Sequence, residues 1–191
     1  SYKSECRLFQ LTPDNAPNEL ENFQPDMLFI ESAWRGKADL WDKKISNTSS
    51  ELQGILAWCR ERHIPTVFWN KEDPVHFNTF LTTAQHFDFV FTTDIDCIPR
   101  YKYVLGHERV FLLPFACQPR INNPIEKYDR KDAFCFAGAY YVRYPERSKD
   151  LENYIKILPD FLPLEIYDRN YGKEDANYQF PTAYRPFIIG T

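Results

Sequence analysis

The run Asn70-Lys71-Glu72-Asp73-Pro74 places an amide, an ammonium and two carboxylates directly after the apolar stretch Thr66-Val67-Phe68-Trp69. The apolar stretch, rich in β-branched and aromatic residues, predicts a buried strand, and Pro74 forbids further pairing. Ligands of open α/β sheets bind beyond the carboxyl ends of the strands, so this charged cluster is a site candidate. Glu72 and Asp73 are candidate general bases, because one carboxylate beside another has a raised pKa. They can equally pair with Lys71 or Arg35 and do no chemistry. His76, one turn on, is an alternative base, since imidazole titrates near neutrality, or a capping or packing residue. Two carboxylates make a thin metal site, as Mg²⁺ takes well-placed carboxylates together with phosphates, and no metal is assigned.

Polar residues finish the other apolar runs in the same way: Glu31 and Ser32, Thr92-Thr93-Asp94, Gly138, and Asp168-Arg169-Asn170. Each can simply be a strand ending in a polar loop; together they suggest one polar rim. Trp34-Arg35-Gly36 sets an aromatic and a cation after the first run, suited either to stacking on a sugar or base ring or to covering a helix. Gly138, with a helix predicted seven residues on, lets backbone approach an anion near a helix N-terminus, and Arg143 and Arg147 add charge suited to a diphosphate. His63, His86 and His107 lie near element ends and are assigned no chemistry.

The elements that position these groups alternate. Strands are predicted at 27–30, 66–69, 87–91 and 110–113. Helices are predicted at 39–63, with Ser49 or Ser50 capping an inner turn, and at 77–85 and 99–105. This is a βαβ pattern, a parallel sheet with helices on each side. Residues 1–124 form the first domain and 125–131 a polar, Pro-flanked linker. Residues 132–191 begin a second domain, with strands at 133–137 and 164–167, a helix at 145–158 and a final loop. Those two strands and one helix are too little to bury a core alone.

Composition excludes several classes. The chain has 191 residues, 43% hydrophobic and 26% charged, and a net charge of −4, with a mean hydropathy of −0.53 and a pI near 5.6. No overall basic footprint for nucleic acid or anionic membrane results. No apolar run is long enough to span a bilayer, and no signal-peptide core follows Ser1. The five cysteines (Cys6, Cys59, Cys97, Cys117, Cys135) form an odd set without CxxC spacing, and three sit in apolar runs. That usage predicts reduced thiols and a cytoplasmic location. Six glycines at these spacings make neither a GxGxxG nor a P-loop motif.

Four segments in order carry a resemblance. They are Phe29-Ile30-Glu31-Ser32-Ala33-Trp34-Arg35-Gly36, Phe68 to Pro74, Phe136-Ala137-Gly138-Ala139-Tyr140-Tyr141 with Pro145-Glu146-Arg147, and Ile166-Tyr167-Asp168-Arg169-Asn170-Tyr171. Over roughly residues 20–190 the chain resembles the CgeB-like (spore maturation protein) glycosyltransferases of bacteria. The resemblance implies a GT-B architecture of two Rossmann-like domains facing each other across a cleft. The chain would hold the acceptor-side domain without its first strand and the start of the donor-side domain. It further implies transfer of a sugar from a nucleotide-sugar donor to a glycan or protein acceptor, with no cofactor or metal required. Asp73, Glu72 or His76 would then act in catalysis. Glu31, Ser32, Trp34, Arg35, Asn70, Lys71, Thr93 and Asp94 would line the acceptor side, and Gly138, Tyr140 and Arg147 would lie near the donor phosphates. A receiver-like or flavodoxin-like module that only binds a ligand or partner is the alternative; it fits less well, since Glu31 and Asp94 mimic a receiver's acidic groups only loosely and a flavodoxin's phosphate loop is absent.

Overall fold

The computed structural model describes residues 2–122, 125 and 129–191. The chain divides into two compact units, Ser1–Asn123 and Pro124–Thr191. Part of the predicted linker, residues 126–128, lies outside the described residues.

The first unit runs α1 (Ala16–Phe23), β1 (Leu28–Glu31), α2 (Ser50–Glu61), β2 (Thr66–Asn70), α3 (Phe77–Ala84), β3 (Phe89–Thr92), α4 (Cys97–Leu105), β4 (Val110–Leu112). The strands form one parallel sheet in the order β1-β2-β3-β4. Strands joined in sequence by crossovers of one hand return on the same side of the sheet, and the packing follows. Ile30, Phe68, Val90 and Val110 sit side by side in register. They share one core with Leu20 of α1, Leu52 and Ile55 of α2, Phe80 of α3 and Tyr101 of α4. The alternate residues Phe29, Trp69, Phe91 and Phe111 point the other way and lie outside that core. Rings cover two of them: Tyr2 stands 5.8 Å from Phe29 and Phe115 stands 5.4 Å from Trp69. The sequence pattern predicts helices on each side of this sheet; the four helices pack on one.

The predicted helix at 39–63 is also corrected. Its first half is a compact irregular loop with a short 3-10 turn at Lys37–Asp39 and left-handed backbone at Ala38, Asp39, Lys43 and Thr48. Trp41 anchors the loop, donating to the Leu11 carbonyl at 3.1 Å. Gly36 is required beneath it, since a Cβ there would lie 2.8 Å from the Trp41 Cβ. The helix begins where Ser49 can cap it, accepting the Leu52 N–H.

The second unit contains β5 (Phe134–Gly138), α5 (Pro145–Ile157), β6 (Leu164–Asp168) and β7 (Ile188–Gly190), with the parallel order β5-β6-β7. The stretch predicted to end as loop supplies β7. It also brings Phe180 and Tyr184 onto Tyr140, Ile155, Leu164 and Ile166, which makes a core of its own where none was expected. Glu152 of α5 accepts from both the Tyr140 and Tyr184 hydroxyls, at 2.7 and 3.2 Å.

Both units are therefore α/β, each built on a parallel sheet with flanking helix. Among the described residues no helix is long and apolar enough to cross a membrane. Phe68 is fully buried between Phe80 and Phe87, so Phe68→Ala should cost about 3–5 kcal/mol in urea denaturation. Phe91→Ala, on the face without helices, should cost clearly less.

Candidate functional site

The carboxyl ends of β2 and β3 meet in a hydrogen-bonded knot around Asp73. Asn70, the last residue of β2, is fully buried. Its amide donates to Asp73 Oδ1 at 2.7 Å and to the Tyr101 hydroxyl at 2.8 Å, while its Oδ1 accepts the Glu72 N–H at 3.2 Å. Tyr101, reaching down from α4, donates to Asp73 Oδ1 at 3.3 Å. Thr92, the last residue of β3, donates to Asp73 Oδ2 at 2.6 Å. Ser32, just past β1 and fully buried, accepts the Lys71 N–H at 2.9 Å. The turn thus hangs from three strands and one helix, and the Asp73–Pro74 peptide within it is cis.

Burial raises the pKa of Asp73, and the charge of Asp94 pushes the same way. The Thr92 and Tyr101 hydrogen bonds and the Arg100 charge oppose it. Burial, then, rather than an adjoining Glu72, lifts this carboxyl. Burial also raises the Tyr101 hydroxyl, so it stays protonated as a donor.

The other rim residues divide between structure and exposure. Lys71 pairs with Glu31 at 3.1 Å and Arg35 with Asp39 at 3.9 Å, so neither cation serves Glu72 or Asp73. Among the described residues the half-buried Glu72 carboxylate has no hydrogen bond or ion pair. His76 lies edge-on to Trp34 at 4.8 Å, and Trp34 rests on Phe80 at 5.2 Å. His76 precedes α3 without capping it. Thr93 approaches the Asp73 carbonyl at 3.5 Å, and Asp94 accepts the Asp96 N–H at 2.8 Å.

In the second unit, two of the three expected phosphate contacts are taken up by structure. The space a Cβ would fill at Gly138 holds the Phe136 ring, 2.8 Å away, so the missing side chain makes room for that ring. Tyr140 is buried, its hydroxyl turned onto Glu152. Arg147 differs: it is exposed in the first turn of α5 with its guanidinium 4.9 Å from the centre of the Tyr141 ring. Arg143 lies 4.8 Å from that of Tyr144. Among the described residues neither arginine has a carboxylate partner.

Two features escaped the sequence reading. Tyr101 sits inside an apolar helical pattern, where nothing marks its hydroxyl as a partner of Asp73. At the opposite, amino end of β2, a concavity of about 340 Å³ is lined by Arg60, His63, Thr66, His86 and Asp88. Asp88 is engaged there, accepting both the N–H and the hydroxyl of Thr66 at 2.9 and 2.8 Å. Among the described residues no group of three or more His, Cys, Asp or Glu is arranged to hold a metal ion. Compared with known proteins, the chain matches no family model and no curated protein.

Asp73 binds its proton more tightly folded than unfolded, so its neutral form favours the fold. That contribution is complete below the ordinary aspartate value of about 3.9 and is lost as pH rises through the raised folded value. In a carboxyl ¹³C NMR titration, Thr92→Val or Tyr101→Phe should move the Asp73 midpoint higher still, and Asp94→Asn should lower it. A wild-type midpoint at or below the ordinary value would contradict the burial argument.

Proposed function

We propose that the chain is part of a glycosyltransferase of the GT-B type, related to the CgeB-like proteins. It would act in the cytoplasm, moving a sugar from a nucleotide-sugar donor to an acceptor hydroxyl in bacterial glycan or surface-protein glycosylation. The observation that carries this reading is the pair formed by Arg143, two residues before α5, and Arg147 in its first turn. Both guanidiniums lack a carboxylate partner among the described residues, and both are supported by tyrosine rings. Two arginines beside a helix N-terminus suit the departing diphosphate of a nucleotide sugar, through paired charged hydrogen bonds and the helix dipole.

In the first unit the proton acceptor of this scheme is Glu72. Both oxygens of Asp73 already accept hydrogen bonds from Asn70, Tyr101 and Thr92, which suits it to holding the turn. Glu72, just before it in the chain and without such partners among the described residues, takes the proton of the acceptor hydroxyl. The acceptor oxygen attacks the anomeric carbon as the bond to the departing diphosphate breaks. Trp34, braced by His76 and Phe80, offers a face for a sugar ring, and Lys71 with Glu31 offers polar contacts beside it.

A panel of nucleotide-sugar donors tested on the full-length protein should show transfer, or slow hydrolysis, from one of them. Glu72→Gln should then lower kcat by about 10²–10⁴-fold, the usual contribution of a general base. Arg147→Ala should weaken donor use. Full turnover by Glu72→Gln removes it from the scheme. Absence of donor turnover and of nucleotide binding favours a non-catalytic α/β binding module.

A further inference from the structure

The face of the first sheet that carries no helix is covered by two irregular segments, and their meeting point lies beside two thiols. The first segment lays Tyr2 on Phe29; the second lays Phe115 on Trp69; Phe29 and Trp69 are themselves neighbours at 6.2 Å. The two covers touch directly, Gln118 donating to Glu5 at 3.0 Å. Cys6 follows Glu5 and Cys117 precedes Gln118, and both thiols are free and exposed. Cys59 and Cys97 are buried, with thiols pushed up to about 11, and the exposed Cys135 belongs to the second unit.

We propose that Cys6 and Cys117 are a redox-modification site, a disulfide clasp that fastens the two covers over the aromatic sheet face. The oxidant is a low-molecular-weight disulfide of the glutathione type. The Cys6 thiolate attacks one sulfur of the oxidised tripeptide, forming a mixed disulfide and expelling one glutathione thiolate. The Cys117 thiolate then attacks the Cys6 sulfur and expels the second. The two protons lost by the cysteines end on the two glutathiones, so two thiols and one disulfide become one disulfide and two thiols. A protein disulfide needs Cα atoms about 4.4–6.8 Å apart. Both cysteines lie outside every strand and α-helix, so the segments can slide to that separation without breaking a ladder. The bond would enclose the whole β1–β4 sheet in one covalent loop, and it stands independently of the proposed function.

The test equilibrates the 191-residue chain with reduced and oxidised glutathione, blocks free thiols and maps tryptic peptides without reduction. The expected product links peptides 4–7 and 110–120, lighter by two hydrogens than their sum. Cys6→Ser and Cys117→Ser should each leave a glutathione adduct on the remaining thiol. Oxidation of the wild type should slow chymotryptic cleavage after Tyr2 and Phe115 several-fold, and should not do so in Cys6→Ser. Separate adducts on Cys6 and Cys117, links through Cys135 or between chains, or untouched thiols would overturn the clasp. Unchanged cleavage of the linked chain would overturn the fastening.

Discussion

The Asp73 carboxylate joins the ends of β2 and β3 to α4, and the shape of the polar rim depends on it. Asn70, Thr92 and Tyr101 are each fully buried, so each hydroxyl or amide must find a partner inside. One half-buried carboxylate accepts from all three. Hydrogen bonds to a charged group are worth about 1.5–3 kcal/mol each, against a desolvation cost of several kcal/mol for the ion. The raised pKa of Asp73 has burial as its largest cause, with the Thr92 and Tyr101 hydrogen bonds opposing it. The knot fixes the turn that presents Lys71 and Glu72.

The one-sided winding of the first sheet is the second constraint. With α1 to α4 on one face, the row Glu31–Trp69–Phe91–Phe111 faces away from them. Trp69 is buried there all the same, its indole N–H bonded to the Leu113 carbonyl at 2.9 Å. Irregular chain does the covering that a helix performs elsewhere. Phe111 and Phe115 remain substantially exposed at the β4 edge.

Much of this was legible in the residues. The strands announce themselves because buried parallel strands are runs of apolar residues, and Phe77–Ala84 keeps its expected place. The loop before α2 was not legible: Leu40, Trp41 and Ile45 imitate a helical stripe, but Gly36 and the Ser46–Ser49 polar run favour turns, and Trp41 packs from a loop. β7 was hidden because three residues among prolines and tyrosines carry no periodicity. At the rim, residue type pointed to Asn70 through Asp73, yet it could not divide the roles. Only the contacts separate Asp73, whose oxygens are engaged, from Glu72, whose oxygens have no partner among the described residues. Likewise Gly138 and Tyr140 looked like ligand contacts until Phe136 and Glu152 took their places.

The proposed donor site lies at the first turn of α5, and the proposed acceptor site at the carboxyl ends of the first sheet's strands. The most direct measurement is an NMR titration of the isotope-labelled chain with a nucleoside diphosphate such as UDP. Saturable shifts are expected in the amides of Glu146, Arg147 and Ser148 and in the guanidinium signals of Arg143 and Arg147. Shifts confined to Arg60, His63 and His86 at the opposite end of the first sheet, or no saturable shift anywhere, would overturn the proposed donor site.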